Sequence, residues 1–262
     1  MRDGPIGIDA SSASRRRLPQ VTIRIGTAGW SIPRQTAEQF ESEGSALERY
    51  ASRLLAAEIN SSFHRAHRLS TWQRWRDSVP ENFRFSVKVP KQITHVRKLV
   101  DCQVELDDFL EQASVLGAKL AVLLVQLPPK HIFDPDVAQT FFRKLAAQSR
   151  VQIACEPRHA SWFTSPADEI LSTLCVARVA ADPPICEAAD EPGGWRGLSY
   201  WRLHGSPVIY RSSYDERIPQ FAQQLAAAAT AGRDVWCIFD NTASSKGAGD
   251  ALRLSERLAA GR

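Results

Sequence analysis

The 262-residue chain is 44% hydrophobic and 24% charged, with a formal charge of +4, which is enough apolar content to bury a core within one domain. That charge is too mild for a dedicated nucleic-acid binder and leaves room only for a local basic face, and no run reaches the ~18 apolar residues that span a bilayer. Cys102, Cys155, Cys175, Cys186 and Cys237 are scattered without a Cys-x-x-Cys pair, which argues against a disulfide framework or zinc knuckle and points to a reducing cytoplasm.

Residues 1–20 read as a disordered tail, rich in Gly, Ser, Asp and Arg, and no apolar stretch follows Arg15-Arg16-Arg17 to make a secretory signal. From residue 21 to 262 the chain reads as a single barrel domain. Strands are predicted at 21–27, 57–61, 83–88, 119–125, 151–156, 175–181, 199–204 and 234–239. Helices are predicted at 45–56, 70–78, 104–117, 135–148, 165–173, 214–230 and 246–260. The connection from Asp182 to Leu198 is Pro- and Gly-rich and carries no helical pattern. Strand–helix alternation implies parallel strands with right-handed crossovers, and eight such units imply a closed TIM-type (β/α)8 barrel. An open doubly wound sheet is the alternative, although the first strand lacks a Gly-x-Gly-x-x-Gly turn.

Alternation within the strands is more informative. Successive side chains point to opposite faces, so one parity meets the helices and the other meets the lumen. Ile59 opposes Glu58 and Asn60; Phe85 and Val87 oppose Arg84, Ser86 and Lys88; Ile153 and Cys155 oppose Gln152, Ala154 and Glu156; Trp201 and Leu203 oppose Tyr200, Arg202 and His204. Arg24, Arg178 and Asp182 are assigned to the same polar parity. Charges are costly inside a barrel unless paired, so Arg24, Arg84 and Arg178 fit either a structural ion-pair network or a site. Active sites of this fold lie at the carboxyl ends of the strands, which selects Glu58, Asn60, Lys88, Glu156, Asp182, Arg202 and His204.

Several of these residues also carry a resemblance. The stretches Ile25-Gly-Thr-Ala-Gly-Trp30, Glu58-Ile-Asn-Ser-Ser-Phe63, Phe83-Arg-Phe-Ser-Val-Lys88, Arg158-His-Ala-Ser-Trp162 and Arg202-Leu-His-Gly205, with Ile93-Thr-His95 and Phe239-Asp-Asn-Thr242, resemble the domain of unknown function 72 family, also called YecE-like. The resemblance implies a TIM-type barrel similar to those of endonuclease IV and the sugar isomerases. It therefore suggests hydrolysis or isomerisation of phosphate- or sugar-bearing substrates, by analogy of fold. Ile32 and His64 stand where the family commonly has tyrosine, and Asp240-Asn241 where it often has two asparagines, so substrate preference at the rim is expected to differ.

The chemistry follows from residue type. Lys88, Arg158 and Arg202 would crowd a divalent cation and suit an anionic or sugar-like ligand, so no metal and no cofactor are expected. Glu156, His204 and Glu58 are the candidate catalytic groups, with Glu156 the favoured carboxylate and His204 a proton carrier near neutral pH. Trp30, Asn60, Phe63, Lys88, His95, Arg158, His159, Asp182, Arg202, Tyr214 and Asn241 are the candidate substrate-binding residues, and Tyr210 is a further ring on that face. The Gly26-Thr-Ala-Gly29 loop fits either a phosphate cradle or a tight turn. Trp72 and Trp75 fit the packing face of the second helix. A metal-independent hydrolase or lyase/isomerase is the leading reading. Nucleic-acid recognition or repair resembling endonuclease IV and a non-catalytic ligand sensor are its alternatives. A deep pocket holding acid and base would favour the enzyme, and a wide basic groove the nucleic acid. No membrane partner is expected, and nothing in the sequence sets the oligomeric state.

Overall fold

In a computed structural model describing residues 22–261, the apolar runs form strands and the amphipathic stretches form the helices between them. The expected tail, 1–20, lies outside the described residues. The strands are β1 (Ile23–Ala28), β2 (Ala56–Ile59), β3 (Arg84–Lys88), β4 (Leu120–Gln126), β5 (Gln152–Glu156), β6 (Val176–Arg178), β7 (Ala180–Asp182), β8 (Gly193–Gly194), β9 (Leu198–Leu203) and β10 (Asp234–Phe239). The helices are α1 (Ala46–Ala51), α2 (Leu69–Asp77), α3 (Gln103–Ser114), α4 (Pro135–Gln148), α5 (Ser165–Thr173), α6 (Ile218–Thr230) and α7 (Gly247–Ala260).

Local chemistry sets several boundaries. Ser45 and Glu48 form a reciprocal capping box at the start of α1, and Asp134 accepts the N–H groups of Asp136 and Val137 ahead of Pro135 in α4. Each cap satisfies donors that a helix start would leave orphaned. The helix predicted at 45–56 stops at Ala51 because Ala56 is already in register with Gly26 and Arg84 in the sheet. The helix predicted at 214–230 begins as α-helix only at Ile218, after a 3-10 turn over Asp215–Arg217 that follows Tyr214, whose N–H is accepted by Asp250 of α7.

The strand order is β7-β9-β10-β1-β2-β3-β4-β5-β6-β8. The stretch from Val176 to Asp182 closes it: β6 pairs with β5 and β7 pairs with β9, both in parallel, on either side of Val179. This nearly closed ring of mostly parallel strands is a TIM-type barrel, and the open doubly wound sheet is ruled out. The short β8, antiparallel to β6, occupies the Pro- and Gly-rich connection where no helix was predicted.

Two apolar clusters follow the two strand parities. Ile25, Ala57, Ile59, Phe85, Val87, Ile153, Cys155 and Phe239 pack outward under the helices. Val122, Leu124, Ala154, Ala177, Val179, Tyr200, Trp236 and Ile238 fill the middle of the lumen, where the Tyr200 and Trp236 rings stack with centroids 6.0 Å apart. Burying each of the larger apolar side chains contributes about 1.5–3 kcal/mol.

The sixth strand departs from its expected parity. Ala177 and Val179 face the lumen, whereas Arg178 points outward, bonding Asp168 of α5 at 2.8 Å and lying over Phe163. Asp182 shares that outward parity, accepting from Tyr214 Oη at 2.7 Å and from Arg217 at 2.6 Å. A charged residue on the helix-facing side is affordable here because α5 and the segment before α6 bring partners. The stretch expected as a Gly26–Gly29 loop is strand as far as Ala28 and bends only at Gly29. The Thr27 and Gly29 N–H groups already bond Tyr50 Oη and the Glu58 carbonyl, so it forms neither a tight turn nor a phosphate cradle. A Cβ on Gly26 would stand 2.0 Å from the Ala56 carbonyl oxygen, so only glycine lets β1 and β2 approach this closely.

Candidate functional site

The carboxyl ends of β2, β3, β5, β9 and β10 place their lumen-facing side chains around one guanidinium. Arg202, 1% exposed, reaches Glu58 through two parallel bonds, Nε to Oε2 at 2.9 Å and Nη2 to Oε1 at 2.6 Å. Its Nη1 bonds Glu156 Oε2 at 2.9 Å, and Nη2 lies 3.1 Å from Asp240 Oδ2. The guanidinium fork thus fills the space between three carboxylates, the place a divalent cation would need. Tyr200 Oη, below it, sits 3.2 Å from Glu58 Oε2 and 2.9 Å from Ser86 Oγ.

His204 lies beside this centre and is fully buried. Its Nδ1 is 3.0 Å from Asp240 Oδ2, and its Nε2 is 2.8 Å from both Glu156 Oε1 and Nη2 of Arg158. Arg158 in turn lies 2.5 Å from Glu156 Oε1. With a proton on Nδ1 alone, His204 donates to Asp240 and accepts from Arg158. With a second proton on Nε2, it donates to Glu156. The Arg158 donor and the Glu156 acceptor thus compete for one ring nitrogen.

Electrostatics separates the roles. Burial alone would raise the Glu156 carboxyl, but Arg158, Arg202 and His204 together hold it well below the ordinary carboxylate value. Asp240 is likewise depressed, with burial opposed by Arg202 and His204. Both carboxylates are therefore ionised at neutral pH and serve as fixed charge. Lys88 behaves differently. Burial first, and then the charge of Arg202, brings its ammonium down from 10.5 to about 8. It is 7% exposed, its Nζ lies 4.2 Å from the centroid of the Phe63 ring, and no described carboxylate comes within the 4.0 Å of an ion pair. Burial and the charge of Lys88 also lower His95, whose ring meets Phe63 edge-on at 5.0 Å.

The structure thus gathers Glu58, Lys88, Glu156, Arg158, Arg202 and His204 at one lumen mouth, with Phe63 and His95 beside Lys88. Asn60 follows β2 there, and its Oδ1 is buried without a hydrogen-bond partner, as is Nε of Arg158. Other candidates are placed elsewhere. Trp30 packs edge-on against Trp75 and Phe85 on the helix side. His159 accepts the Ser161 N–H and caps a short 3-10 turn. Tyr214 is 1% exposed, so its ring has no free face for a ligand. Asn241 ties the loop after β10 to the Ser212 carbonyl and to Asp250. Asp182 faces outward, as described above. Asp240, noted in the sequence only as a rim departure from the family pattern, joins the site together with Tyr200 and Ser86, which already shared the polar parity. Tyr210, 5.9 Å from His204 edge-on, covers the ring from a loop. A groove of about 410 Å³ runs from Phe63 and His64 past Lys91 to Phe109 and Gln112 of α3, and meets the site only through Phe63.

The family model described as "Protein of unknown function DUF72" matches residues 24–262. The chain belongs to this family. The UPF0759 protein YecE of Escherichia coli K12 is 27% identical over 148 residues, 56% of this chain and 52% of the relative, so the match spans about half of that protein's length. The UPF0759 protein YunF of Bacillus subtilis is 24% identical over 90% of this chain and 94% of the relative. Among solved structures, DUF72 family proteins from Enterococcus faecalis and Thermotoga maritima superpose with TM-scores of 0.75 and 0.74, at 21% and 19% identity. Each alignment covers 91% of this chain, and 96% and 100% of the two neighbours. These likenesses establish the DUF72 barrel as the fold. Among the described residues, no helix is long and apolar enough to cross a membrane.

Proposed function

We propose that the lumen mouth is the active site of a metal-independent lyase or isomerase acting on a small sugar-like or phosphorylated substrate. The single observation that carries this reading is Lys88. The other charges converging on Arg202 are held in short ion pairs, whereas Lys88 is nearly buried and has no carboxylate of the described residues at ion-pair distance. A cation held this way is suited to bind an anionic group or to move a proton close to neutral pH. The Arg202 network, with Glu156 as fixed charge, supplies a preorganised field, and His204 supplies a second group suited to pass a proton. The orphaned polar atoms of Asn60 and Arg158 are suited to substrate hydroxyls. Full burial of Glu156 and His204 supports a small substrate over a nucleic-acid duplex, which could not reach them. The same field would also support hydrolysis, but a lysine near neutrality fits proton abstraction better.

The test is turnover in deuterated water with a panel of aldoses, ketoses and their phosphates, read by NMR for deuterium entering at carbon or for cleavage products. His204→Asn and Lys88→Met should each lower the rate by roughly 10²–10⁴. Absence of exchange and cleavage across the whole panel would overturn the reading.

A further inference from the structure

We propose that Lys88 is a covalent nucleophile, its Nζ forming an imine with the carbonyl carbon of a small hydroxylated aldehyde or ketone. This rests on the lumen mouth being an active site and narrows its substrates to carbonyl compounds. Four observations support it. Lys88 ends β3 on the lumen parity, on a rigid strand whose backbone carbonyl is held by the Ser62 hydroxyl at 2.7 Å. Its Nζ rests on the Phe63 ring at 4.2 Å, an apolar surface that positions the amine and keeps water from one side. No described carboxylate lies at ion-pair distance to fix the nitrogen as a permanent cation. Phe63 also lines the 410 Å³ groove, whose other lining comes from His64, Lys91 and α3, so one residue borders both the amine and open space.

The chemistry balances without a co-reactant. The neutral amine adds its lone pair to the carbonyl carbon, and the oxygen takes up a proton. The carbinolamine then loses water as the C=N bond forms. Once protonated, the imine withdraws electrons from the neighbouring carbon, so a C–H or C–C bond there can break with its electron pair directed toward nitrogen. The groups facing Lys88 are Glu58 from β2, Glu156 from β5, Arg202 from β9, Asp240 after β10 and His95 from the loop after β3. Asp240, whose charge acts on Lys88, also bonds His204 at 3.0 Å, so this carboxylate links the amine to the imidazole. At pH 8 about half of Lys88 is neutral, against well under a hundredth for a lysine at the ordinary value.

The full-length protein is incubated at pH 8 with glycolaldehyde or dihydroxyacetone phosphate and sodium cyanoborohydride, which reduces an imine to a stable secondary amine. Peptide mapping by mass spectrometry then locates the adduct. Modification of Lys88 should exceed that of exposed Lys91 by roughly tenfold or more. Lys88→Arg, which keeps the charge but cannot form this imine, should lose only that adduct; the wild-type ratio of Lys88 to Lys91 serves the same purpose if the variant does not fold. Equal labelling of the two lysines, or labelling of Lys91 alone, overturns the proposal. Deuterium exchange without a Lys88 adduct would sink the covalent step and leave the acid–base reading intact. An adduct without exchange or cleavage would do the reverse.

Discussion

The two ends of the barrel lumen are built from the same strands and the same side-chain parity, yet they hold charge in opposite ways. At the amino end, Arg24, Arg84, Gln152 and Asp234 remain partly exposed. Arg84 donates to the Glu81 and Phe83 carbonyls at 2.6 and 2.8 Å, and Gln152 donates to Asp234 at 2.9 Å. Burial and the nearby Arg84 together lower the Arg24 guanidinium. At the carboxyl end, Arg202, Glu58, Glu156 and His204 are at most 1% exposed and bonded only to one another and their neighbours. Between them lies the dry layer of Val122, Leu124, Ala154 and Trp236. Charges that can keep water need no ionic partner; charges that cannot must find several. The carboxyl end therefore stores electrostatic energy in a fixed geometry, which is what a reacting centre requires.

The sharpest way to break this comparison is to remove the central cation. Arg202→Met leaves Glu58, Glu156 and Asp240 facing one another and should cost roughly 3–5 kcal/mol in urea unfolding. Arg24→Met at the other end should cost less than about 1 kcal/mol, since one partly exposed cation is lost without stranding a buried partner. Equal losses would show that the two ends do not differ as described.

A second effect has the opposite sign. Folding shifts Lys88 from 10.5 to about 8, so below pH 8 the native state must hold a proton it binds weakly. Stability should rise as pH increases from about 8 to 10.5, where the unfolded chain binds more protons than the native one. Lys88→Met should therefore stabilise the fold near pH 7 by roughly 2–3 kcal/mol and remove that rise. A destabilised variant would show that the ammonium is held by an attraction larger than its burial cost.

The mildest test sharpens the role of the carboxylates. The folded values of Glu156 and Asp240 lie below their ordinary 4.5 and 3.8. Their contribution is present above those ordinary values and is lost as pH falls through the depressed ones. Glu156→Gln should flatten the acid limb of the stability curve below about pH 4.5. Parallel acid limbs for Glu156→Gln and the unmodified protein would contradict the assignment.

Much of the barrel was legible from local pattern. Helices α4 and α5 begin and end where their Pro135 and Ser165-Pro166 starts predict, and all eight strands that form the ring coincide with apolar runs. Period-two alternation likewise sent Glu58, Lys88, Glu156, Arg202 and His204 to one face, because a strand turns successive side chains to opposite sides whatever its neighbours. Strand six shows the limit. Arg178 and Asp182 look like lumen residues because they are polar, and their outward parity depends on Asp168, Tyr214 and Arg217, which are distant in the chain or lie on other elements. The same holds for Trp30 and Tyr214, rings that a loop position left free but tertiary packing half-buried against Trp75 and buried against Phe221 and Phe239, respectively.

What the sequence determined by itself was therefore the alternation, the closed α/β barrel it implies and the polar parity of the lumen, since each depends on backbone geometry repeated over a few residues. Only the tertiary structure decided which charges neutralise which. Arg202 takes both oxygens of Glu58, Asp240 enters beside His204, and Lys88 meets the Phe63 ring with no described carboxylate at ion-pair distance. Pairing energy depends on distance and burial across strands far apart in the chain, and neither quantity is written in local sequence.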